Sequence, residues 1–218
     1  MTRADVHARI LRTGVIPAIR TASADDALFA ADAVHHGGIH VVELTMTVPG
    51  AHEVLIELRR THPKLMVGAG TVLDVETARS CVDAGAAFLS SPGLEPSVLN
   101  FAAESNVAVI PGALTPSEVM MALKAGADFI KVFPCAAVGG PSYIRALKAP
   151  FPNAPLMASG GVNQVTAKDY LSAGAVVLGI RGELIPHQAI ERRNAEWIHE
   201  LASRFLNIVK QTRAGRES

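Results

Sequence analysis

The phrases DAGAAFLSSP at residues 83–92, KAGADFIKVFP at 124–134 and SAGAVVLGI at 172–180 are one unit written three times. Each ends a helix, turns through Ala-Gly and enters a short β-rich run. Repeated along a chain, that order produces parallel strands joined by crossover helices. Eight such runs can be read: VIPAIR (15–20), HVVELTM (40–46), LMVGAGTV (65–72), AFLSSP (87–92), VAVIPGA (107–113), DFIKVFP (128–134), PLMASGG (155–161) and AVVLGI (175–180). Eight parallel strands close into a (β/α)8 TIM barrel, because a ring of that size leaves an interior that side chains just fill. A doubly wound open sheet is the alternative, but no GxGxxG follows the first run. The expectation is α/β, a single barrel domain over residues 1–218, with an N-terminal helix before the first strand.

The connecting segments carry their own start and stop signals. TPSE at 115–118 sets Thr115 as N-cap, Pro116 at the first helical position and Glu118 to close a capping box. Val119, Met120 and Leu123 then form the expected buried stripe. Gly38, Gly85, Gly126 and Gly174 each precede a strand by a few residues, as left-handed helix ends require. Residues 187–210 place Ile190, Trp197, Ile198, Leu201, Phe205, Ile208 and Val209 at helical spacing, which reads as core packing.

Composition narrows the function classes. The chain has 218 residues, 49% of them hydrophobic, with 20 basic and 20 acidic side chains. A mean hydropathy of +0.27 suits parallel strands buried on both faces. No apolar run approaches the roughly 18 residues of a membrane-spanning helix. The N-terminal MTRADVHARILRTG lacks a signal peptide's apolar block, so a cytoplasmic protein is expected. Basic residues are scattered rather than striped, with Arg59-Arg60 and Arg192-Arg193 read as solvated helix faces, which argues against nucleic acid. Cys81 and Cys135 form no CxxC, and the histidines show no ligand spacing, so neither disulfide nor metal is expected. His35-His36 ends a helix, where positive charge suits the dipole.

In a barrel of this kind chemistry sits where strands end. Three ionisable residues fall within the apolar hearts of the runs: Arg20, Glu43 and Lys131. Alternation puts Phe129, Lys131 and Phe133 on one face of their strand, and Val41, Glu43 and Thr45 on one face of theirs. If both faces point inward, lysine meets glutamate. Burial disfavours the ammonium form and favours a free, nucleophilic amine, with Phe129 and Phe133 as the walls that keep it dry, while a nearby carboxylate can move protons. The other interpretation is a structural ion pair, although such pairs are weak sources of stability. Arg20 either grips a substrate carboxylate or pairs on the surface with Asp25 or Asp26. SGGV at 159–162 and GIRGE at 179–183 supply glycine-rich turns after the last two strands, where barrels bind phosphate. Cys135, just past FIKVFP, reads as a small turn residue.

Together, VELTMT with Glu43, GAGT ending at Thr71, SSPG with Pro92, FIKVFP with Lys131, and SGGV resemble the 2-keto-3-deoxy-6-phosphogluconate aldolase / 4-hydroxy-2-oxoglutarate aldolase family, in order over about residues 10–190. The resemblance implies a class I aldolase that uses no cofactor and releases pyruvate and glyceraldehyde 3-phosphate. It implies Lys131 as the Schiff-base lysine, Glu43 as the proton shuttle, and Thr71 with an arginine, here Arg20, on the carboxylate. Ser159, Thr45, Pro92 and Phe133 would face the hydroxyls and set stereochemistry. Gly160 and Gly161, with the eighth turn at Arg181 and Gly182, would hold phosphate. It also implies a homotrimer. The chain departs from the pattern at Thr47, where many relatives carry arginine, at Ser159, usually threonine in the gluconate enzymes, and at Arg181-Gly182, which replaces Gly-Ser. Cleavage of 4-hydroxy-2-oxoglutarate, cleavage of the galactonate epimer, and a non-catalytic phosphosugar-binding or scaffold barrel are the alternatives.

Overall fold

The computed structural model describes residues 1–217. Nine short strands form one all-parallel sheet: β1 Val15–Ile19, β2 Val41–Thr45, β3 Met66–Gly70, β4 Phe88–Ser90, β5 Ala108–Ile110, β6 Gly112–Ala113, β7 Ile130–Val132, β8 Leu156–Ser159 and β9 Val177–Ile180. The hydrogen-bonded order is β5-β4-β3-β2-β1-β9-β8-β7-β6, so the two ends of the sheet are β5 and β6. These are halves of the single run VAVIPGA, parted at Pro111, which has no N–H for a ladder. The ring closes across the proline: Ser91 N donates to Ile110 O at 3.3 Å and Lys131 N to Pro111 O at 2.9 Å. All eight runs therefore become barrel staves.

Helices α1 Arg3–Thr13, α2 Ala24–His36, α3 Ala51–Thr61, α4 Val75–Asp83, α5 Pro96–Glu104, α6 Pro116–Lys124, α7 Pro141–Lys148, α8 Ala167–Ser172, α9 His187–Glu191 and α10 Ala195–Glu217 surround the ring. The expected stop signals are realised as one repeated device. Gly38, Gly85, Gly126 and Gly174 have φ of 94°, 97°, 74° and 114°. At each, the glycine N–H bonds three residues back and the next N–H five back, as in Gly85 to Val82 O (2.9 Å) and Ala86 to Cys81 O (2.9 Å). This Schellman geometry satisfies carbonyls that a helix end otherwise strands, and aims the chain at the next strand. Thr115 and Glu118 form the capping box. Two expectations are corrected. On α6 the buried residues are Val119 and Ala122, with Met120 and Leu123 exposed, because the helix is rolled so that its small side chain meets the barrel. The 187–210 stripe is two helices, broken where Arg193 adopts φ 48°; its guanidinium contacts Asp25 and Asp26 of α2 and lies 4.9 Å from the Phe29 ring, so it is an anchor rather than a solvated face.

Inside the ring, alternation stacks the inward side chains in layers. The lowest holds Ile16, Val41, Met66, Phe88, Ala108, Phe129, Met157 and Val177, with Val6 and Ile10 of α1 packed beneath. The N-terminal helix is thus a plug. It is held by Arg3, whose Nε lies 3.0 Å from both Asp128 carboxylate oxygens, and by His7, stacked on Phe129 at 4.5 Å. A second, larger apolar layer lies between barrel and helices.

At the same end of the barrel His35 and His40 share a 2.8 Å Nδ1–Nδ1 hydrogen bond, which requires at least one neutral ring. Burial, then His40, His62 and His36, hold the protonation of His35 below the ordinary value, outweighing Asp32, while burial, Arg9 and Lys64 do so for His40. His35 therefore does not supply the helix-end charge expected from sequence. A depressed folded-state value means stability present above the unfolded pKa of about 6.5 and lost as pH falls through the lower folded value. Urea midpoints should accordingly drop between pH 7.5 and 5.0, and the His35→Gln/His40→Gln variant should show a shallower drop; an unchanged slope would contradict this reading.

Candidate active site

The next tier of inward positions is Ala18, Glu43, Gly68, Ser90, Ile110, Lys131, Ser159 and Gly179, staggered around the ring because Lys131 pairs in register with Gly112 and Met157. Here the packing changes character. Ser90 stands within reach of Lys131, and the bare Gly70 leaves room for Glu43. Lys131 Nζ donates towards Glu43 Oε1 and Oε2, both at 3.3 Å, and towards Ser90 Oγ at 3.4 Å. Glu43 is 2% exposed and Lys131 8%. The contact is longer than a tight charge-assisted bond of about 2.8 Å, and Nζ faces a cavity rather than a sealed core.

That cavity, of about 490 Å³, is lined by Arg20, Glu43, Thr45, Thr71, Pro92, Lys131, Phe133, Ser159, Gly160, Gly161, Arg181 and Gly182. Every residue singled out from the sequence as a site residue is therefore brought to one place. The top layer follows the same inward parity, with Arg20, Thr45, Gly70, Pro92, Gly112, Phe133, Gly161 and Arg181 two positions beyond the middle layer. Thr45 is buried and donates to Ile19 O at 3.0 Å, tying the ends of β1 and β2 together, so it has no spare proton to offer a ligand. Phe133 stands at the mouth, 37% exposed, its ring centred 5.7 Å from Lys131 Nζ. Phe129 lies one layer below. The two phenylalanines expected to be walls are thus a rim and part of the floor.

Thr71 breaks the parity. Directly after Gly70 it would point away from the interior, yet it lines the cavity because its φ is 61°. A β-branched residue in the left-handed region is strained by about 1–3 kcal/mol. Such strain persists where surrounding structure imposes it, and here it turns a hydroxyl inward. Gly160 and Gly161 follow β8 with φ of 84° and 89°, and a Cβ on Gly161 would fall 2.2 Å from that of Ala136. Only glycine fits this close turn.

The surface-pair interpretation of Arg20 fails. Asp25 and Asp26 are engaged by Arg193, and no hydrogen bond or ion pair among the described residues holds the guanidinium of Arg20 or of Arg181. Two uncommitted guanidinium groups thus stand at the ends of the neighbouring strands β1 and β9. Cys135 is fully buried, with its thiol pushed up to about 11 by burial, in keeping with a turn residue. Among the described residues no group of three or more His, Cys, Asp or Glu is placed to hold a metal, and no helix is long and apolar enough to cross a membrane.

Sequence reasoning passed over Ser90 and Gly70. Ser90 shares the inward parity of Phe88, which was the available signal. Gly70 is required by proximity: a Cβ there would lie 2.3 Å from Glu43 Oε1 and 2.5 Å from its Cδ and Cγ. Gly70→Ala should displace Glu43, lowering turnover by roughly 100-fold and stability by about 1–3 kcal/mol through overpacking. Gly215→Ala, outside the cavity and with a Cβ that meets nothing within 4 Å, is the control. Steady-state kinetics and urea midpoints that match between the two variants would show that Glu43 can step aside.

Comparison with known proteins places this geometry in a family context. Residues 6–201 match the family described as KDPG and KHG aldolase. The KHG/KDPG aldolase of Escherichia coli strain K12 is 34% identical over 202 residues, covering 92% of this chain and 95% of the relative. The 2-dehydro-3-deoxy-phosphogluconate aldolase of Pseudomonas aeruginosa is 32% identical over 192 residues, covering 88% and 87%. Among solved structures, the KDPG aldolase of Legionella pneumophila, with pyruvate captured at low pH as a covalent carbinolamine intermediate, superposes with a TM-score of 0.85 at 35% identity, covering 90% of this chain and 96% of that one.

Proposed function

The chain belongs to the KDPG and KHG aldolase family, and we propose that it is a class I aldolase cleaving 2-keto-3-deoxy-6-phosphogluconate to pyruvate and glyceraldehyde 3-phosphate. The observation that carries the proposal is the Lys131 amine, 3.3 Å from both oxygens of Glu43 at the base of an open cavity. A structural ion pair has no need of that cavity, nor of the glycines that keep it clear.

In this reading Lys131 Nζ adds to the C2 carbonyl, giving a carbinolamine that loses water to a protonated imine. The imine is an electron sink. Glu43, directly or through one water, takes the C4 hydroxyl proton; the C3–C4 bond breaks, its electron pair moves into the imine, and the aldehyde leaves. The enamine that remains takes a proton at C3 from Glu43. Hydrolysis then frees pyruvate and returns Lys131. Ser90, within 3.4 Å of Nζ, can orient the amine. Arg20 and the inward-turned Thr71 receive the carboxylate, and the glycine turn at 160–161 with Arg181 and Gly182 receives the phosphate. Ser159, Pro92 and Phe133 bound the hydroxylated middle, and Thr45 acts by holding the ends of its strands. The reaction calls for no cofactor.

Arg181 favours a second reading by the same residues. A guanidinium accepts a carboxylate as well as a phosphate, so 4-hydroxy-2-oxoglutarate would also fit, releasing glyoxylate. The proposal further takes residues 1–218 as one barrel domain, and the assembly as a homotrimer, for which exposed Ile56, Leu73, Met120 and Met121 offer apolar surface. Mass photometry reporting a different assembly would reject the trimer.

Incubation with pyruvate and borohydride should add the mass of a reduced pyruvyl adduct to the intact protein, on the peptide containing Lys131, and Lys131→Ala should abolish it. An unmodified wild-type protein would sink the aldolase assignment. Removing the guanidinium in Arg181→Ala should raise KM for the phosphorylated sugar acid by roughly tenfold or more, one charge-assisted contact being worth about 1.5–3 kcal/mol. Inorganic phosphate should inhibit the wild type competitively and this variant more weakly. If instead KM for 4-hydroxy-2-oxoglutarate alone responds, the second reading replaces the first.

A further inference from the structure

Lys131 Nζ changes its proton count during the reaction proposed above, and its hydrogen-bond partners have to change with it. As an ammonium group it carries three N–H bonds. Glu43 Oε1 and Oε2, both at 3.3 Å, and Ser90 Oγ, at 3.4 Å, accept from it, while the group also borders the open cavity. Once Nζ is joined to C2 of a substrate, the imine keeps a single N–H. Two acceptors then remain for one donor.

Charge decides between the two, and the outcome differs from step to step. Opposite the positively charged imine, the Glu43 carboxylate is the stronger acceptor. That preference ends when Glu43 takes up a proton, from the C4 hydroxyl in cleavage or from C3 when pyruvate alone is bound. The electron pair released at C3 runs through C2 to nitrogen, so the enamine becomes neutral as Glu43 becomes a neutral acid. The proton on Glu43 has to face C3, to which it returns, and the enamine N–H loses its ionic partner. Ser90 Oγ is the other side-chain acceptor hydrogen-bonded to Nζ among the described residues. It has no further hydrogen-bond partner among them, so it is open to receive the N–H. Ser90 is 1% exposed, which leaves little room for water to stand in for its hydroxyl. A buried N–H without an acceptor would destabilise the enamine and the barrier that leads to it.

We propose that Ser90 is a catalytic residue: its hydroxyl takes over the hydrogen bond from Nζ while Glu43 carries the proton, and yields it back to the carboxylate when the imine re-forms. The N–H bond stays intact throughout. The C4 hydroxyl proton passes to Glu43 and then to C3, and the electron pair of the broken C3–C4 bond ends in the new C3–H bond. This role rests on the aldolase reading of Lys131, and it demands what mere orientation of the amine does not: imine formation is spared while enamine formation is slowed.

Pyruvate alone supplies the test. In D2O, enamine formation exchanges the pyruvate methyl protons for deuterium, which proton NMR follows directly, and borohydride trapping reports the imine in parallel. Two variants are compared with the wild type: Ser90→Ala, and Ser90→Cys, which keeps the bulk but offers only a weak acceptor. Both are expected to give wild-type amounts of borohydride adduct and methyl exchange slower by roughly tenfold. In cleavage of the phosphorylated sugar acid, kcat should fall by a similar factor with KM unchanged. Ser91→Ala removes a hydroxyl that donates to Gly93 O at 2.6 Å rather than touching Nζ, and should exchange at the wild-type rate. Wild-type exchange in either Ser90 variant would mean that the hydroxyl is not needed. Loss of the adduct itself in both would place Ser90 in amine addition instead, and equal slowing in Ser91→Ala would trace the effect to the end of β4. Each of these results overturns the proposal and leaves Lys131 as the imine-forming lysine. A wild type that forms no adduct would remove the aldolase assignment, and this role with it.

Discussion

Two ionisable side chains on one level of a closed barrel constrain almost everything around them. Lys131 and Glu43 come from β7 and β2, on opposite sides of the ring, and meet because their inward positions share a layer. Desolvation costs several kcal/mol per ion, an amount that their attraction offsets only in part. The pair therefore needs space and polar company, which Gly70 beside Glu43 and Ser90 beside Lys131 provide. It also needs a floor that water cannot pass, and the layer of Phe88, Met66, Phe129 and Met157, sealed by Val6 and Ile10, is such a floor. The N-terminal plug is thus part of what keeps the cavity open on one side only.

Stability has to come from elsewhere. The apolar mass lies outside the ring, between strands and helices, where alanine, valine and leucine pack without a polar atom to satisfy. The repeated Schellman endings add to this by closing the backbone's hydrogen bonds at the same point of four different units. A fold built from one locally consistent unit, used many times, can carry a strained threonine and an internal ion pair at the one place where its rules are broken. Thr71 is where this trade is plainest, since a glycine would relieve its backbone and remove its hydroxyl.

Most of the barrel was legible because it depends on short-range signals: a glycine after a helix, a capping box, a β-rich run. Parity alone carries Glu43 and Lys131 to the same face, and the same count would have yielded Ser90. What could not be read depended on contacts between distant residues or on departures from regular backbone. The inward turn of Thr71 comes from a single φ angle. The freedom of Arg20 rests on Arg193, more than 160 positions away, occupying Asp25 and Asp26. The roll of α6 that exposes Met120 and buries Ala122 shows only in the folded chain, and the break before α10 falls at Arg193, which is tied to Asp25 and Asp26.

The mouth of the barrel is polarised by strand neighbourhood, and this bears on the proposed chemistry. Arg20 and Arg181 end adjacent strands, β1 and β9, so both guanidinium groups stand on one arc of the rim, with Gly160 and Gly161 next along on β8. Thr45 and Thr71 continue that arc on β2 and β3. Lys131 rises from β7 beside the glycine turn and crosses the interior to Glu43. A substrate with an anion at each end would lie along this arc with its reacting carbons over the lysine. Arg181 then stands between two anion-receiving positions rather than at one end. Replacing the family's Gly-Ser with Arg-Gly in this turn exchanges a short hydroxyl for a long, permanently charged fork, which can follow the far anion over a range of chain lengths. Tolerance in the length of the aldehyde half is the property such an exchange would confer.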